Sequence, residues 1–489
     1  MGWITVYALG LLLNAAAARP LVGARYFGGW YNCSQTPASC WSHFRGFSPL
    51  GVPTDNFFPS YPSRAPLLGL YTTNASTITA EVAAADGALD FFAMLFYKGD
   101  AVCGSNADPN LAYCLNAPLA FMLNSSLVWA GASRLHFFIT YSNDIDAGSP
   151  GMFVGAAGAA AWAALVRTWV AAFAHPRYLR VGGRPIFEVL IPAVFALQCG
   201  GNTTLANALL AQLRAAGAAA GVGAPLIGGG WALPSVPGAA PPAPRSHPEG
   251  YMLYAGAGIP SCAGACSLGN LTGGVAACEA GCNATPGCAA FVARQGGCEL
   301  KAAAGPGAPG AGDVYVRVLE AAAFDFTATY NAAPPVCPGF DDWECPRYHN
   351  SWMPNATPAG AKIFPYAECA DFQAAARGNH SGDPVPYLPN LIAGFDPRPW
   401  EEHAPSFAPP TDAEWRAALA QARDLVVAPG NRVFGFPDGS GGVQPAVCIY
   451  AWNEFGEGGI LAPTAGAGSA LLQAVADVFA PSAALKGSV

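Results

Sequence analysis

The stretch "AVCIYAWNEFGEGGILAPT" (Ala446–Thr464) passes directly from an apolar run into a turn that carries two carboxylates. Its first part, Ala446–Trp452, is apolar throughout, which is typical of a strand buried on both faces of a parallel sheet. Glu454 and Glu457 follow at once, among aromatic residues and glycines. Because only 11% of the chain is Asp, Glu, Lys or Arg, this pair predicts a functional site at the end of a buried strand.

Seven more runs of the chain share the composition of this strand. They are Ala24–Tyr31, Leu89–Tyr97, Arg134–Tyr141, Pro185–Ile191, Pro225–Trp231, Phe324–Tyr330 and Tyr387–Phe395. Helical segments separate most of them, and the segment Gly158–Ala174 puts four large apolar residues on one helix face: Trp162, Leu165, Trp169 and Phe173. Eight strands that alternate with helices predict a (β/α)8 TIM barrel of the α/β class, with a doubly wound sheet as the alternative.

Two local patterns predict helix ends in the last part of the chain. Thr411 stands three residues before Glu414, which is the spacing of a capping box, in which each side chain bonds the backbone N–H of the other residue. The last helix is expected over Ser469–Ala480.

The N-terminal residues 1–18 predict a cleaved signal peptide. The apolar segment Ile4–Ala18 is shorter than the roughly 20 residues that a membrane-spanning helix needs, and it ends in small residues that suit a cleavage site. An uncleaved anchor is the alternative, and after cleavage we expect no membrane span.

Cysteines and glycosylation sequons favour the secretory pathway. The chain has 15 cysteines and eight N-x-[ST] sequons, at Asn32, Asn74, Asn124, Asn202, Asn270, Asn283, Asn355 and Asn379. Together with the signal peptide they predict a glycoprotein that is secreted or lies in the secretory-pathway lumen. The net charge of −8 and the lack of a basic run argue against a nucleic-acid partner.

The strand–helix alternation is interrupted after the fifth strand. A Pro-rich segment, Pro234–Gly250, is followed by six cysteines within residues 262–298. A unit this small does not bury enough apolar surface to be stable alone, so the cysteines predict a disulfide-rich inserted domain. We therefore assign residues 19–249 and 320–489 to the two parts of a catalytic barrel and residues 250–319 to the insert.

The insert resembles a PAN/apple module in the spacing of "AACEAGCNATPGCAAFVARQGGCELK". The resemblance implies the disulfides Cys278–Cys298 and Cys282–Cys288, with Cys262–Cys266 as a local pair, and a glycan or protein ligand for the insert. A zinc site is disfavoured, because the insert has no C-x2-C pair and no nearby histidine.

The other nine cysteines predict three pairs and three remaining thiols. Cys33–Cys40, Cys103–Cys114 and Cys337–Cys345 are close enough in sequence to pair. An odd set then remains, Cys199, Cys369 and Cys448, so at least one thiol should be free. Cys448, inside a buried strand, is the expected one.

The glutamate pair favours glycoside hydrolysis. Barrel enzymes place their chemistry at the carboxyl ends of the strands, which is where Glu454 and Glu457 stand. Glycoside hydrolysis needs two carboxylates in different environments, one protonated and one ionised, and aromatic walls both exclude water and stack on sugars. A solvated loop that holds two glutamates by chance is the alternative.

The segment "AWNEFGEGGILAPT" resembles the W-N-E-x-x-E-G segment of glycoside hydrolase family 99, the endo-α-mannosidases, and of the related WbsX-like proteins. Four other segments are similar to that group in the same order: Ala24–Tyr31, Leu89–Tyr97, His175–Leu190 and Ala393–Trp400. The resemblance implies a (β/α)8 barrel with retaining endo-α-mannosidase activity on an oligo- or polysaccharide. It makes Glu457 the general acid/base, and it makes Glu454 the base for the sugar 2-OH, which attacks C1. Phe455 and Gly456 stand where the family tends to have Trp and His, so the sugar stays open.

Further residues near the strand ends are candidate sugar contacts: Trp30, Tyr31, Tyr141, Asn143, Asp144, Tyr330, Asp396, Arg398, Trp452 and Asn453. For most of them a packing or ion-pair role is an equal alternative, and Asp396 with Arg398 could brace the seventh loop. Glu188, inside the fourth strand, would need a buried partner.

No cofactor or metal is predicted, because the chain has no P-loop, no G-x-G-x-x-G after a strand and no H-E-x-x-H. Two other functions remain open. One is a WbsX-like glycosyltransferase, and the other is a non-catalytic protein whose apple module binds glycans or proteins.

Overall fold

The computed structural model describes residues 19–30, 58–71, 74–98, 115–143, 151–230, 324–329, 363–382, 385–399 and 406–480, and five strands between residues 251 and 317. The predicted signal peptide and three predicted sugar contacts lie outside the described residues: Tyr31, Asp144 and Tyr330.

Eight parallel strands form one sheet. They are β1 Leu21–Tyr26, β2 Phe91–Tyr97, β3 His136–Ser142, β4 Arg184–Val189, β5 Leu226–Gly229, β6 Phe326–Ala328, β7 in two pieces, Tyr387–Leu388 and Asn390–Ile392, and β8 Ala446–Tyr450. Each strand pairs in parallel with the next, and β8 pairs in parallel with β1.

The seventh strand closes the sheet into a barrel. Its first piece pairs with β6, where Tyr387 lies opposite Thr327, and its second piece pairs with β8, where Asn390 lies opposite Cys448. Pro389 separates the pieces, because proline has no N–H to donate to a ladder. The eight pairings therefore form a continuous ring, and the predicted (β/α)8 barrel, rather than the doubly wound sheet, is confirmed.

Helices connect the strands in the described residues. They are α1 Ser76–Ala85, α2 Ala117–Asn124, α3 Gly155–Phe173, α4 Pro192–Gln198, α5 Thr203–Ala219, α6 Tyr366–Asn379, α7 Asp412–Val426 and α8 Ala470–Phe479. Short 3-10 turns lie at Pro62–Arg64, Ser126–Trp129 and His380–Gly382. The capping box is present, with Thr411 bonded to Glu414 in both directions.

By length and composition α3 is apolar enough to cross a membrane, but its contacts are those of a barrel helix. All four residues of its predicted apolar face are buried. The ring of Trp169 packs on Tyr141 of β3 at 5.2 Å and on Phe187 of β4 at 4.7 Å, measured between ring centroids. The predicted helix face is therefore confirmed.

The observed strand bounds differ from the predicted ranges by a few residues, most clearly at β1 and before β4. β1 begins and ends earlier than the predicted Ala24–Tyr31. Gly28, which follows β1, packs closely against the backbone of Leu115. A Cβ on Gly28 would lie 2.0 Å from the Leu115 carbonyl oxygen, so the backbone there fits only glycine. β4 is preceded by Arg180–Val181, which pairs with it in a hairpin whose two turn residues, Gly182 and Gly183, have φ values of +56° and +76°.

The insert contains a sheet of its own. Five strands pair antiparallel in the order Tyr251–Tyr254, Asp313–Arg317, Ala290–Arg294, Gly297–Lys301 and Ser267–Thr272. None of these strands belongs to the barrel sheet. The apple-like identity of the insert, its disulfides and its exact boundaries stay predictions.

The interior of the barrel has an aromatic layer and a buried ion pair. The rings of Phe91, Phe138 and Phe326 pack on Phe436 near the amino ends of the strands, at 5.8, 6.1 and 5.2 Å. Beyond them, Arg25 forms a two-pronged ion pair with Glu188, and both side chains are fully buried.

Two expectations about single residues are met in the described part of the chain. Arg25 supplies the buried partner that Glu188 needed. The expectation of a free Cys448 is confirmed, and Cys199 and Cys369 are free and buried as well.

Candidate active site

Glu454 and Glu457 lie in a tight turn at the carboxyl end of β8. Asn453–Glu454 pairs antiparallel with Gly459–Ile460, and we call residues 453–460 the glutamate turn. The carbonyl of Glu454 accepts the N–H groups of Glu457 (3.1 Å) and Gly458 (2.8 Å). Gly458 has a φ of +78°, and a Cβ there would lie 3.0 Å from the Asp396 nitrogen, so both conformation and space require glycine.

The two carboxylates have different surroundings. Glu454 is 5% exposed, whereas Glu457 is half-buried at the open end of the barrel. The hydroxyl of Tyr450, the last residue of β8, donates to Glu457 Oε2. One turn therefore presents a nearly buried carboxylate and a solvent-accessible one.

Aromatic rings pack behind the turn. Phe455 contacts Trp30 at 5.3 Å and Phe58 at 5.9 Å, and Trp30 contacts Phe27 at 5.6 Å, all edge to face. Trp30 is 1% exposed, so in this structure it is part of the wall that supports the turn rather than an open stacking surface.

Trp452 and Asn453 are fully buried and support the backbone. The Asn453 amide bonds both the N–H of Phe27 (2.8 Å) and the carbonyl of Phe27 (2.7 Å), and it also donates to the Tyr71 hydroxyl (2.9 Å). Trp452 packs its ring on Phe92 at 5.1 Å. These contacts fix the start of the glutamate turn to the loop that follows β1.

Arg64 fixes the middle of the turn. It is 8% exposed and donates to the carbonyls of Phe455 (3.1 Å) and Gly456 (3.3 Å), the two residues between the glutamates. It also donates to the Asp396 carbonyl (2.9 Å) and forms an ion pair with the Asp396 carboxylate. Burial lowers the pKa of Arg64, although Asp396 opposes this shift.

Asp396 and Arg398 form a cluster of charged side chains with Arg64. The alternative in which Asp396 and Arg398 brace the loop after the seventh strand agrees with these contacts. Arg398 donates to both carboxylate oxygens of Asp396, at 2.6 and 2.7 Å, and Ser406 donates at 2.9 Å. Burial alone would raise the pKa of Asp396, but Arg398, Arg64 and Ser406 outweigh it and hold that pKa below its usual value. The Asp396 N–H donates to the Glu457 carbonyl at 2.5 Å, so β7 and β8 are tied at the site.

Tyr141 and Asn143 are buried at the carboxyl end of β3. Tyr141 is fully buried between β3 and α3. The Asn143 side chain bonds both backbone groups of Ile191, at 2.8 and 2.9 Å, and so joins the segments that follow β3 and β4. In this structure both make the contacts of core residues, and a direct sugar contact stays a prediction.

Among the described residues, no group of three or more His, Cys, Asp or Glu side chains could hold a metal ion. Sequence reasoning missed Arg64, Tyr71 and Tyr450 as parts of the site. Tyr450 could have been found, since it ends the strand before the turn, but Arg64 and Tyr71 stand in a segment with no motif.

Comparison with known proteins gives structural likeness only. No family model and no curated protein matches the chain. Among solved structures, a glycoside hydrolase-like protein aligns over 94% of both chains at 11% identity, with a TM-score of 0.49. The GH99 endo-alpha-mannosidase from Bacteroides thetaiotaomicron aligns over 94% of this chain and 97% of its own, at 11% identity, with a TM-score of 0.41. Because the identity and the TM-score are this low, the strand pairings are the evidence for the barrel. The geometry of the candidate site is the basis for a proposed function.

Proposed function

We propose that the chain is a retaining glycoside hydrolase of the secretory pathway that cleaves α-mannosidic or similar α-glycosidic bonds in an oligo- or polysaccharide. The observation that carries the proposal is the glutamate turn itself. It holds two carboxylates of unequal burial at the carboxyl end of the last barrel strand, where barrel enzymes act. Glycoside hydrolysis asks for this pair.

Glu457 is assigned as the general acid and base. It reaches solvent, so it can meet the oxygen of the leaving sugar and give it a proton as the C1–O bond breaks. The Tyr450 hydroxyl then donates to the carboxylate that Glu457 becomes, and a hydrogen bond to the charged form stabilises it. In the second step Glu457 takes a proton from the attacking water.

Glu454 is assigned to the sugar hydroxyl. Following the sequence resemblance, it accepts the proton of the 2-OH while that oxygen attacks C1, which gives a 1,2-anhydro sugar. Water then attacks C1, the C1–O2 bond breaks, and O2 regains its proton from Glu454. Two displacements at C1 give net retention, and a turn this short suits the roughly 5–5.5 Å carboxyl separation of retaining enzymes.

A glycan array followed by product analysis tests the activity. We expect hydrolysis of an α-linked glycan, with NMR showing first the anomer of the substrate, and no cleavage of a substrate that is 2-deoxy in the −1 sugar. An initially inverted product contradicts the mechanism, and ready cleavage of the 2-deoxy substrate contradicts the role of Glu454. Glycan binding without cleavage, or transfer from a nucleotide-sugar, supports one of the other two functions instead.

A further inference from the structure

A further carboxylate, that of Glu81, is buried behind the glutamate turn. It lies on α1, where Ile78, Val82 and Ala85 form the inward apolar face, and it is 3% exposed. A glutamate within such a face is costly to bury in its charged form. In the described part of the chain, no arginine, lysine or histidine forms an ion pair with Glu81.

The partners of Glu81 are neutral donors. The hydroxyl of Tyr26, the last residue of β1, donates to Glu81 Oε2, and the Tyr71 hydroxyl lies 3.3 Å from the same oxygen. The two tyrosine hydroxyls also contact each other. Two described elements that pack on α1, namely α2 and the 3-10 turn Ser126–Trp129, carry no titratable side chain.

From Glu81 the hydrogen bonds run in one direction to the site. Tyr71 donates to the carboxylate, and its oxygen accepts from Asn453 Nδ2 at 2.9 Å. The Asn453 amide in turn holds both backbone groups of Phe27. Asn453 is the residue directly before Glu454, so the chain of bonds ends on the backbone that positions that glutamate.

The direction of this chain depends on the proton of Glu81. A carboxylate only accepts hydrogen bonds, so it keeps the Tyr71 O–H pointing toward it and leaves the Tyr71 oxygen open to Asn453. A protonated carboxyl donates its own proton to a phenol oxygen, and where that oxygen belongs to Tyr71 the new bond competes with the bond from Asn453. Burial raises the pKa of Glu81 to about 7, against the opposing effect of its hydrogen bonds from the Tyr26 and Tyr71 hydroxyls, so both forms are populated near neutral pH.

We propose that Glu81 is a positioning residue for Glu454, whose ionised carboxylate orders the start of the glutamate turn through Tyr71 and Asn453. The inference rests on the proposed function in taking Glu454 as a reacting group. Beyond that function, it assigns to Glu81, which is not one of the two reacting glutamates, a positioning role that depends on its protonation state.

Hydrogen exchange of peptides that cover residues 451–461 tests this without a substrate. Measured from pH 5 to 8.5 and corrected for the intrinsic exchange rate, wild-type protection should rise roughly three- to tenfold as pH passes about 7, the size expected for one net hydrogen bond. Glu81→Gln should abolish the pH dependence, whereas the exposed helical variant Glu368→Gln should behave as wild type. A wild-type protein without the change, or a Glu81→Gln variant that retains it, overturns the proposal.

A matched pair of tyrosine variants tests the route. Tyr26→Phe and Tyr71→Phe each remove one hydroxyl beside Glu81, but only Tyr71 bonds Asn453. Tyr71→Phe should remove the pH-dependent protection, and Tyr26→Phe should keep it; equal behaviour overturns the route through Tyr71.

Kinetic measurements distinguish a failure of the role given to Glu81 from a failure of the proposed function. On a cleaved glycan, Glu81→Gln should flatten the change in kcat near pH 7 and leave KM within about twofold, as expected for a group that acts on the transition state alone. A kcat profile identical to wild type overturns the positioning role. A protein that cleaves no glycan but shows the linked exchange contradicts the proposed function and supports the link between Glu81 and the turn.

Discussion

Two buried carboxylates support the glutamate turn from opposite sides, and their pKa values are shifted in opposite directions. Among the described residues Glu81 meets two tyrosine hydroxyls and forms no ion pair, and burial raises its pKa to about 7. Asp396 is also desolvated, but Arg398 and Arg64 hold its pKa below the usual value. The comparison shows that burial alone does not decide the charge of a carboxylate. At Asp396 the guanidinium groups reverse the sign of the shift in pKa, whereas at Glu81 the hydroxyl donors only reduce it.

The largest expected effect is a loss of activity when either glutamate of the turn is replaced. It tests whether the glutamate turn carries out the reaction. Glu457→Gln removes the proton donor and should lower kcat by about 10²–10⁴ through the loss of general acid catalysis alone. Glu454→Gln should be similarly severe. Steady-state rates on the cleaved glycan measure both, and circular dichroism checks that the variants fold. Near-full activity in either variant contradicts its assignment.

The second prediction breaks the cationic side of the comparison. Asp396→Asn leaves Arg64 and Arg398 without their anion and should destabilise the fold by about 3 kcal/mol, the lower end for a broken buried pair, since the three side chains keep 10–29% exposure. Urea unfolding measures the change. Asp412→Asn, which breaks the exposed pair with Arg416, is the matched control and should change stability little. Equal urea midpoints for Asp396→Asn and Asp412→Asn would show that the ion pairs of Asp396 do not stabilise the fold.

The third prediction concerns how stability varies with pH. The folded state keeps a proton on Glu81 up to about pH 7, whereas the unfolded chain loses it near 4.5, so the wild-type protein should lose about 3 kcal/mol as pH rises through this window. Asp396 acts in the opposite sense, because its lowered pKa makes its contribution disappear as pH falls below 3.8. The two windows do not overlap and can be measured separately.

Glu81→Gln should remove the first of these dependences and leave the second. Thermal unfolding of both proteins from roughly pH 2 to pH 8 covers both windows and gives the slopes. A wild-type slope near pH 6 that persists in the variant would show that another group causes it.

The sequence by itself predicted the barrel strands and three of the helices, and it placed the candidate site after the last strand. Near-continuous apolar runs marked all eight barrel strands, because a strand that is buried on both faces carries apolar residues on both of them. The spacing of Trp162 to Phe173 marked α3, and the Thr411–Glu414 spacing marked the start of α7. Glu454 and Glu457 stood out because they directly follow a strand, and strand ends are where barrels collect their side chains.

Only the tertiary structure decided which other residues meet that turn. Arg64 lies 332 residues before Asp396, and Tyr71 lies 382 residues before Asn453, so no local period connects them. Closure of the barrel brings the loops after β1, β7 and β8 together, and it puts Glu81 behind them. It also decides that Tyr141 and Trp452 are buried in the core, because the face to which a strand residue points depends on register and closure rather than on its neighbours in sequence.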